Sequence, residues 1–107
     1  METPITADPV LVRFRRELAA IYGDRLERVV LYGSRARGEA GIESDYDVAV
    51  FLRGMNDRWA ELRRLGELGA EILFETGEFV HALPHAAGAY EEPTPLMREI
   101  RREGVDI

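Results

Sequence analysis

The sequence predicts a small α/β fold, with helices packed against a mixed sheet, and three observations carry that reading. Segments with apolar residues at three- and four-residue spacing alternate along the chain with short β-branched runs. Glycine, proline and aspartate bound those runs, as residues that end strands and cap helices do. The 107 residues, 46% of them hydrophobic, suit one domain over 1–107 with a modest core.

Asp8 followed by Pro9 reads as an N-cap and first helical position. Leu11, Phe14, Leu18, Ile21 and Tyr22 then recur at helical spacing, so a first helix is expected over 9–22. Gly23 and Asp24 stop it. Arg28 to Tyr32 (RVVLY) suits a buried strand, broken by Gly33 and Ser34. The polar stretch 35–44 is long enough only for a helical turn and a return loop.

Asp45 to Leu52 (DYDVAVFL) reads as a second strand. Strand side chains alternate, so Asp45, Asp47, Ala49 and Phe51 are expected on one face and Tyr46, Val48, Val50 and Leu52 on the other. A long helix is expected over 57–76, with Trp59, Leu62, Leu65, Leu68 and Ile72 at its spacing and two weakening glycines, Gly66 and Gly69. Trp59, Phe74 and Phe79 are read as core residues. Glu78 to Leu83 reads as a third strand stopped by Pro84, and 85–93 as a loop containing His85. Thr94, Pro95 and Gly104 bracket a last helix, after which Val105 to Ile107 suits an edge strand.

Composition removes several function classes. There is no cysteine, which excludes disulfides and thiolate zinc sites, and the two histidines, His81 and His85, are too few for a His-based metal centre. Any metal would be held mainly by oxygen. All 14 basic residues are arginine, so a P-loop, which needs its lysine, is excluded. A net charge of −6 with no basic face argues against broad nucleic-acid binding. No apolar run approaches the roughly 18 residues of a membrane span and the first residues lack a signal-peptide layout, so a cytoplasmic protein is expected.

The chemistry concentrates in 31–52, LYGSRARGEAGIESDYDVAVFL, where Gly33 and Ser34 end one strand and Asp45 and Asp47 open the next. Glycine at 33 lets a ligand approach the main chain, and Ser34 offers its hydroxyl and N–H where a helical turn begins. Carboxylates at i and i+2 on one strand face suit a divalent ion that bridges phosphate oxygens. Together these parts point to a nucleoside triphosphate. Arg35 and Arg37 flank the seat, Arg37 being the better candidate for a phosphate contact. The paired arginines of the helices carry no functional reading and suit surface charges that pair with nearby glutamates.

This segment resembles the nucleotidyltransferase signature of the DNA polymerase β superfamily, glycine-serine followed after about ten residues by Asp-x-Asp. It is similar in particular to the minimal nucleotidyltransferases of the MNT type, antitoxins paired with HEPN-domain proteins. The resemblance covers roughly 9–83 and implies a polymerase β-like nucleotidyltransferase fold. It also implies triphosphate contact at Gly33 and Ser34, and Mg2+ ligation at Asp45 and Asp47. The activity implied is transfer of AMP from ATP to a hydroxyl, with a tyrosine of a HEPN-type RNase as acceptor. Larger members add a helical domain that completes the acceptor pocket; 107 residues leave no room for one, so a partner is expected to supply it.

The chain departs from the family at one position. Such enzymes carry a third carboxylate on the strand after the second helix, and here that strand reads EFVHAL. His81 aligns with the missing acid and suits a general base, while Glu78 at the strand's start is a further candidate metal ligand. The alternative is a nucleotidyltransferase-fold binding module that inhibits or scaffolds a partner without turnover.

Overall fold

The computed structural model describes residues 7–38 and 45–107. Helix α1 (Pro9–Tyr22) starts where expected because the Asp8 carboxylate accepts from the N–H groups of Val10 (2.9 Å) and Leu11 (3.4 Å). Its other oxygen accepts from the Tyr46 hydroxyl at 2.7 Å, so one side chain both caps the helix and ties it to the sheet. Leu11, Phe14, Leu18 and Tyr22 form the buried face. A short 3-10 turn over Gly23–Arg25 leads into the sheet.

The strands are β1 (Leu26–Tyr32), β2 (Tyr46–Leu52), β3 (Val80–Ala86) and β4 (Val105–Asp106), in spatial order β3-β2-β1-β4. β1 pairs antiparallel with β2 and with β4, and β2 pairs parallel with β3. Parallel strands need a crossover, and α3 (Arg58–Thr76) supplies it. The mixed α/β sheet read from the sequence is therefore present. Helix α2 (Ser34–Arg37) is a single turn after β1, and α4 (Pro95–Glu103) precedes β4.

The alternation read for β2 holds. Tyr46, Val48, Val50 and Leu52 pack with Leu11, Phe14 and Leu18 of α1 and Leu65, Leu68 and Ile72 of α3. Ala49 and Phe51 pack on the opposite face with Val30, Met97 and Ile100. The central strands are thus covered on both faces, which is why β2 is apolar on both sides after Asp47.

Two expectations fail. β3 is not stopped by Pro84 but runs through it to Ala86, with Pro84 buried opposite Val50. β3 is an outermost strand of the sheet among the described residues, and at an edge a residue without an N–H is tolerated. His85 accordingly lies within β3 and not in a loop, its ring 5.4 Å from that of Phe51. Trp59 and Phe74 are not core residues: they are 76% and 91% exposed. The inward stripe of α3 is Glu61, Leu65, Leu68, Gly69 and Ile72, which leaves Trp59 on the far side. Phe79 is half-buried.

Glu61 was unexpected in that stripe. It is buried because Arg25 reaches it at 2.7 Å and the Tyr22 hydroxyl lies 3.5 Å away. Arg25 also donates to the Arg53 carbonyl at 3.0 Å, so the pair joins α3 to the connections at one end of the β1/β2 pair. Burial, followed by the Glu61 charge, pushes the Tyr22 phenol up to about 12, which keeps it neutral and able to donate.

Candidate active site

The end of β1 turns into α2 at Gly33, whose φ of +78° is a conformation that residues with a side chain avoid. A Cβ placed there would sit 2.5 Å from Asp47 Oδ2, so glycine is required both by the backbone and by the carboxylate beside it. Ser34 follows as the first residue of α2. The start of that turn is the seat read for a phosphate.

Asp47 is the centre of a row across three strands. It is the register partner of Tyr32 on β1 and of His81 on β3, and His81 Nδ1 lies 3.7 Å from Asp47 Oδ1. Asp47 is half-buried and His81 more than half exposed, so the row opens to solvent at its His81 end. Tyr32 was missed from the sequence; only the β1/β2 register reveals it. Its pKa is raised by burial first and then by Asp47 and Glu99, so it stays a neutral phenol beside the carboxylate. Asp45 is exposed, one residue outside β2.

Arg35 is the more buried of the two arginines: its guanidinium lies 3.9 Å from the Tyr46 ring centroid and 2.9 Å from the Glu78 carboxylate. Arg37 reaches out to Glu103 of α4 at 2.9 Å, and that contact holds the Glu103 carboxyl below its ordinary value. Glu78 is thus turned to a cation within the fold. Among the described residues no three His, Asp or Glu side chains gather as a metal site. Two carboxylates remain, Asp45 and Asp47, and Mg2+ is commonly held by one or two carboxylates plus substrate phosphates. The tight cradle at Gly33 and Asp47 fits that donor set.

The family model for the nucleotidyltransferase domain matches residues 11–101, most of the chain, and the chain belongs to that family. Among curated proteins it is 39% identical over 46 residues to MJ0141 of Methanocaldococcus jannaschii, which is named as a proposed protein adenylyltransferase. That match spans 43% of this chain and 46% of the relative.

Three solved structures share the fold. A MntA–HpeT toxin–antitoxin structure with two aspartate-to-glutamate substitutions, two positions apart, superposes with a TM-score of 0.61 at 18% identity, covering 88% of this chain and 69% of the other. A toxin–antitoxin structure with AMP-PNP gives 0.60 at 21%, over 88% of this chain and 69% of the other. A Sulfolobus solfataricus protein described as a proposed nucleotidyltransferase gives 0.58 at 21%, over 91% and 75%.

Proposed function

We propose that this chain transfers AMP from ATP to a hydroxyl group of a partner protein, in the manner of an MNT-type antitoxin acting on a HEPN-type toxin. The observation that carries the reading is the closeness of Gly33, at the start of α2, to Asp47, two residues along the chain from Asp45. Support comes from the family, from the name of MJ0141, and from neighbours that include a toxin–antitoxin structure with an ATP analogue. The substituted aspartates of the MntA–HpeT structure have the same two-residue spacing as Asp45 and Asp47.

In this reading Gly33 and the N–H groups that open α2 receive the triphosphate tail. Asp45 and Asp47 would hold a magnesium ion, which would supply neutralisation of phosphate charge in an in-line displacement. The acceptor oxygen bonds to the α-phosphorus, the bond from that phosphorus to the bridging oxygen breaks, and pyrophosphate leaves. His81 turns Nδ1 toward Asp47, so its Nε2 takes the acceptor's proton. Arg35 moves from Glu78 onto the phosphates. ATP and magnesium coexist in the cytoplasm, the compartment in which this activity belongs.

The replacement of a third carboxylate by His81 favours the second reading, a binding module without turnover. Labelled ATP, magnesium and an all-helical partner encoded alongside decide between them. Label on the partner that disappears in Asp47→Asn supports the transferase. Partner binding with no label, unchanged in Asp47→Asn, supports the module and overturns the transferase.

A further inference from the structure

His81 has few constraints for a side chain whose ring atoms must be aimed. It stands on β3, an outermost strand, more than half exposed, and its approach to Asp47 at 3.7 Å is longer than a hydrogen bond. An exposed imidazole has several staggered wells and two ring orientations open to it, and an ion pair of that length selects weakly among them.

Phe79 supplies what the ion pair does not. Its ring lies beside that of His81, with centroids 6.2 Å apart and planes 20° from parallel, which is an offset stack. The backbone of Phe79 is fixed by β2: its carbonyl accepts from the N–H of Tyr46, the residue before Asp47, at 3.0 Å. The same short stretch of β2 therefore anchors Phe79 and carries the carboxylate that His81 faces.

The Phe79 ring is backed in turn by α3. A Cβ at Gly69 would lie 3.4 Å from Phe79 Cε1, besides meeting the Val80 carbonyl oxygen at 2.7 Å. Glycine at that position lets the helix come down onto the start of β3, and Phe79 is half-buried although it stands at the rim of the sheet.

We infer that Phe79 is a positioning residue for His81: its ring, set between Gly69 of α3 and the imidazole, holds the imidazole with Nδ1 toward Asp47. The inference rests on the reading of His81 as the base of a transferase. Asp47 Oδ2 is the oxygen beside Gly33 and Oδ1 the one facing His81, so the stacked imidazole borders the carboxylate at the phosphate seat. A rotated imidazole loses Oδ1 as its partner, and Nε2 loses its fixed direction. Phe79 acts only through His81, so truncating it is expected to slow transfer and to spare nucleotide binding. Misplacing a reacting group by about 1 Å costs up to about 100-fold, so Phe79→Leu is expected to lower kcat by about 10- to 100-fold.

Two measurements on the full chain test this. The first needs no nucleotide: NMR of the His81 ring, assigned against His81→Gln. The expected result is one His81 rotamer with Overhauser contacts to Phe79, kept in Phe79→Tyr and replaced by rotamer averaging in Phe79→Leu. The second is label transfer from ATP to the partner. Phe79→Leu is expected to lower kcat with KM for ATP changed less than about twofold, Phe79→Tyr to restore the rate, and Phe79→Leu to add nothing in a His81→Gln background. Phe79→Met, apolar but without a flat face, repeats both measurements if leucine unfolds the chain. A His81 ring that keeps its rotamer without Phe79 overturns the inference, as does a loss of rate that persists in full in the His81→Gln background. A chain that transfers nothing, yet loses the fixed His81 rotamer in Phe79→Leu, supports the positioning and overturns the transferase reading instead.

Discussion

Gly33 and Asp47 lie so close that a Cβ at position 33 would stand 2.5 Å from Asp47 Oδ2, and a side chain there has to push that carboxylate aside. The positive φ at Gly33 adds a second penalty, about 1–2 kcal/mol for an L-residue. Gly33→Ala is therefore expected to lower stability by about 1–3 kcal/mol and to displace Asp47. Denaturant unfolding and nucleotide binding on the same sample check this. Full stability with unchanged binding would show that the contact has no consequence.

The two glycines of α3 should respond in opposite directions. Gly66→Ala meets no atom and is expected to stabilise the chain by about 0.5–1 kcal/mol. Gly69→Ala drives a methyl into the Val80 carbonyl and is expected to destabilise by about 1–3 kcal/mol. Thermal or urea midpoints of the two variants decide it.

Much of this architecture was legible in the sequence, and the failures have physical causes. Asp8, Pro9 and Thr94 are local signals that act within one turn, so α1 and α4 begin where they point. The alternation of β2 reads correctly because an unbroken strand turns successive side chains to opposite faces whatever their polarity, so Tyr46 to Leu52 divide between the two cores. Trp59 and Phe74 mislead because hydrophobicity does not say which side of a helix faces its own sheet, and a buried Glu61 depends on Arg25, a partner 36 residues away in the chain. Pro84 misleads because its tolerance depends on β3 being at the edge, a fact of topology. Asp47 and Gly33 could be found by spacing, whereas Tyr32 and the inner position of Arg35 arise from register and tertiary contact.

The Tyr46 hydroxyl joins α1 to β2 through Asp8. Tyr46→Phe removes that bond but leaves the Asp8 oxygen that caps the helix, so a loss of about 0.5–1.5 kcal/mol is expected. Asp8→Ala loses both cap and tie and should cost more. Urea denaturation of both variants orders them.

His85 gives the fold a pH dependence of its own. Burial, then the nearby Arg58 charge, lowers its pKa below 6.5, and its buried Nε2 has no partner among the described residues. The unfolded chain then binds the proton more readily, so stability is complete above pH about 6.5 and falls as pH drops through the folded value. A urea midpoint followed from pH 7.5 down should decline less in His85→Leu than in the unaltered chain; parallel curves would remove His85 as the cause.

The direct test of the nucleotide site is calorimetric titration of ATP into the chain with and without magnesium, repeated in Asp45→Asn, Asp47→Asn and Gly33→Ala. Binding that needs the ion and weakens at least about tenfold in each variant is the expected result. Absence of ATP binding, or binding indifferent to magnesium and to both aspartates, would contradict the account.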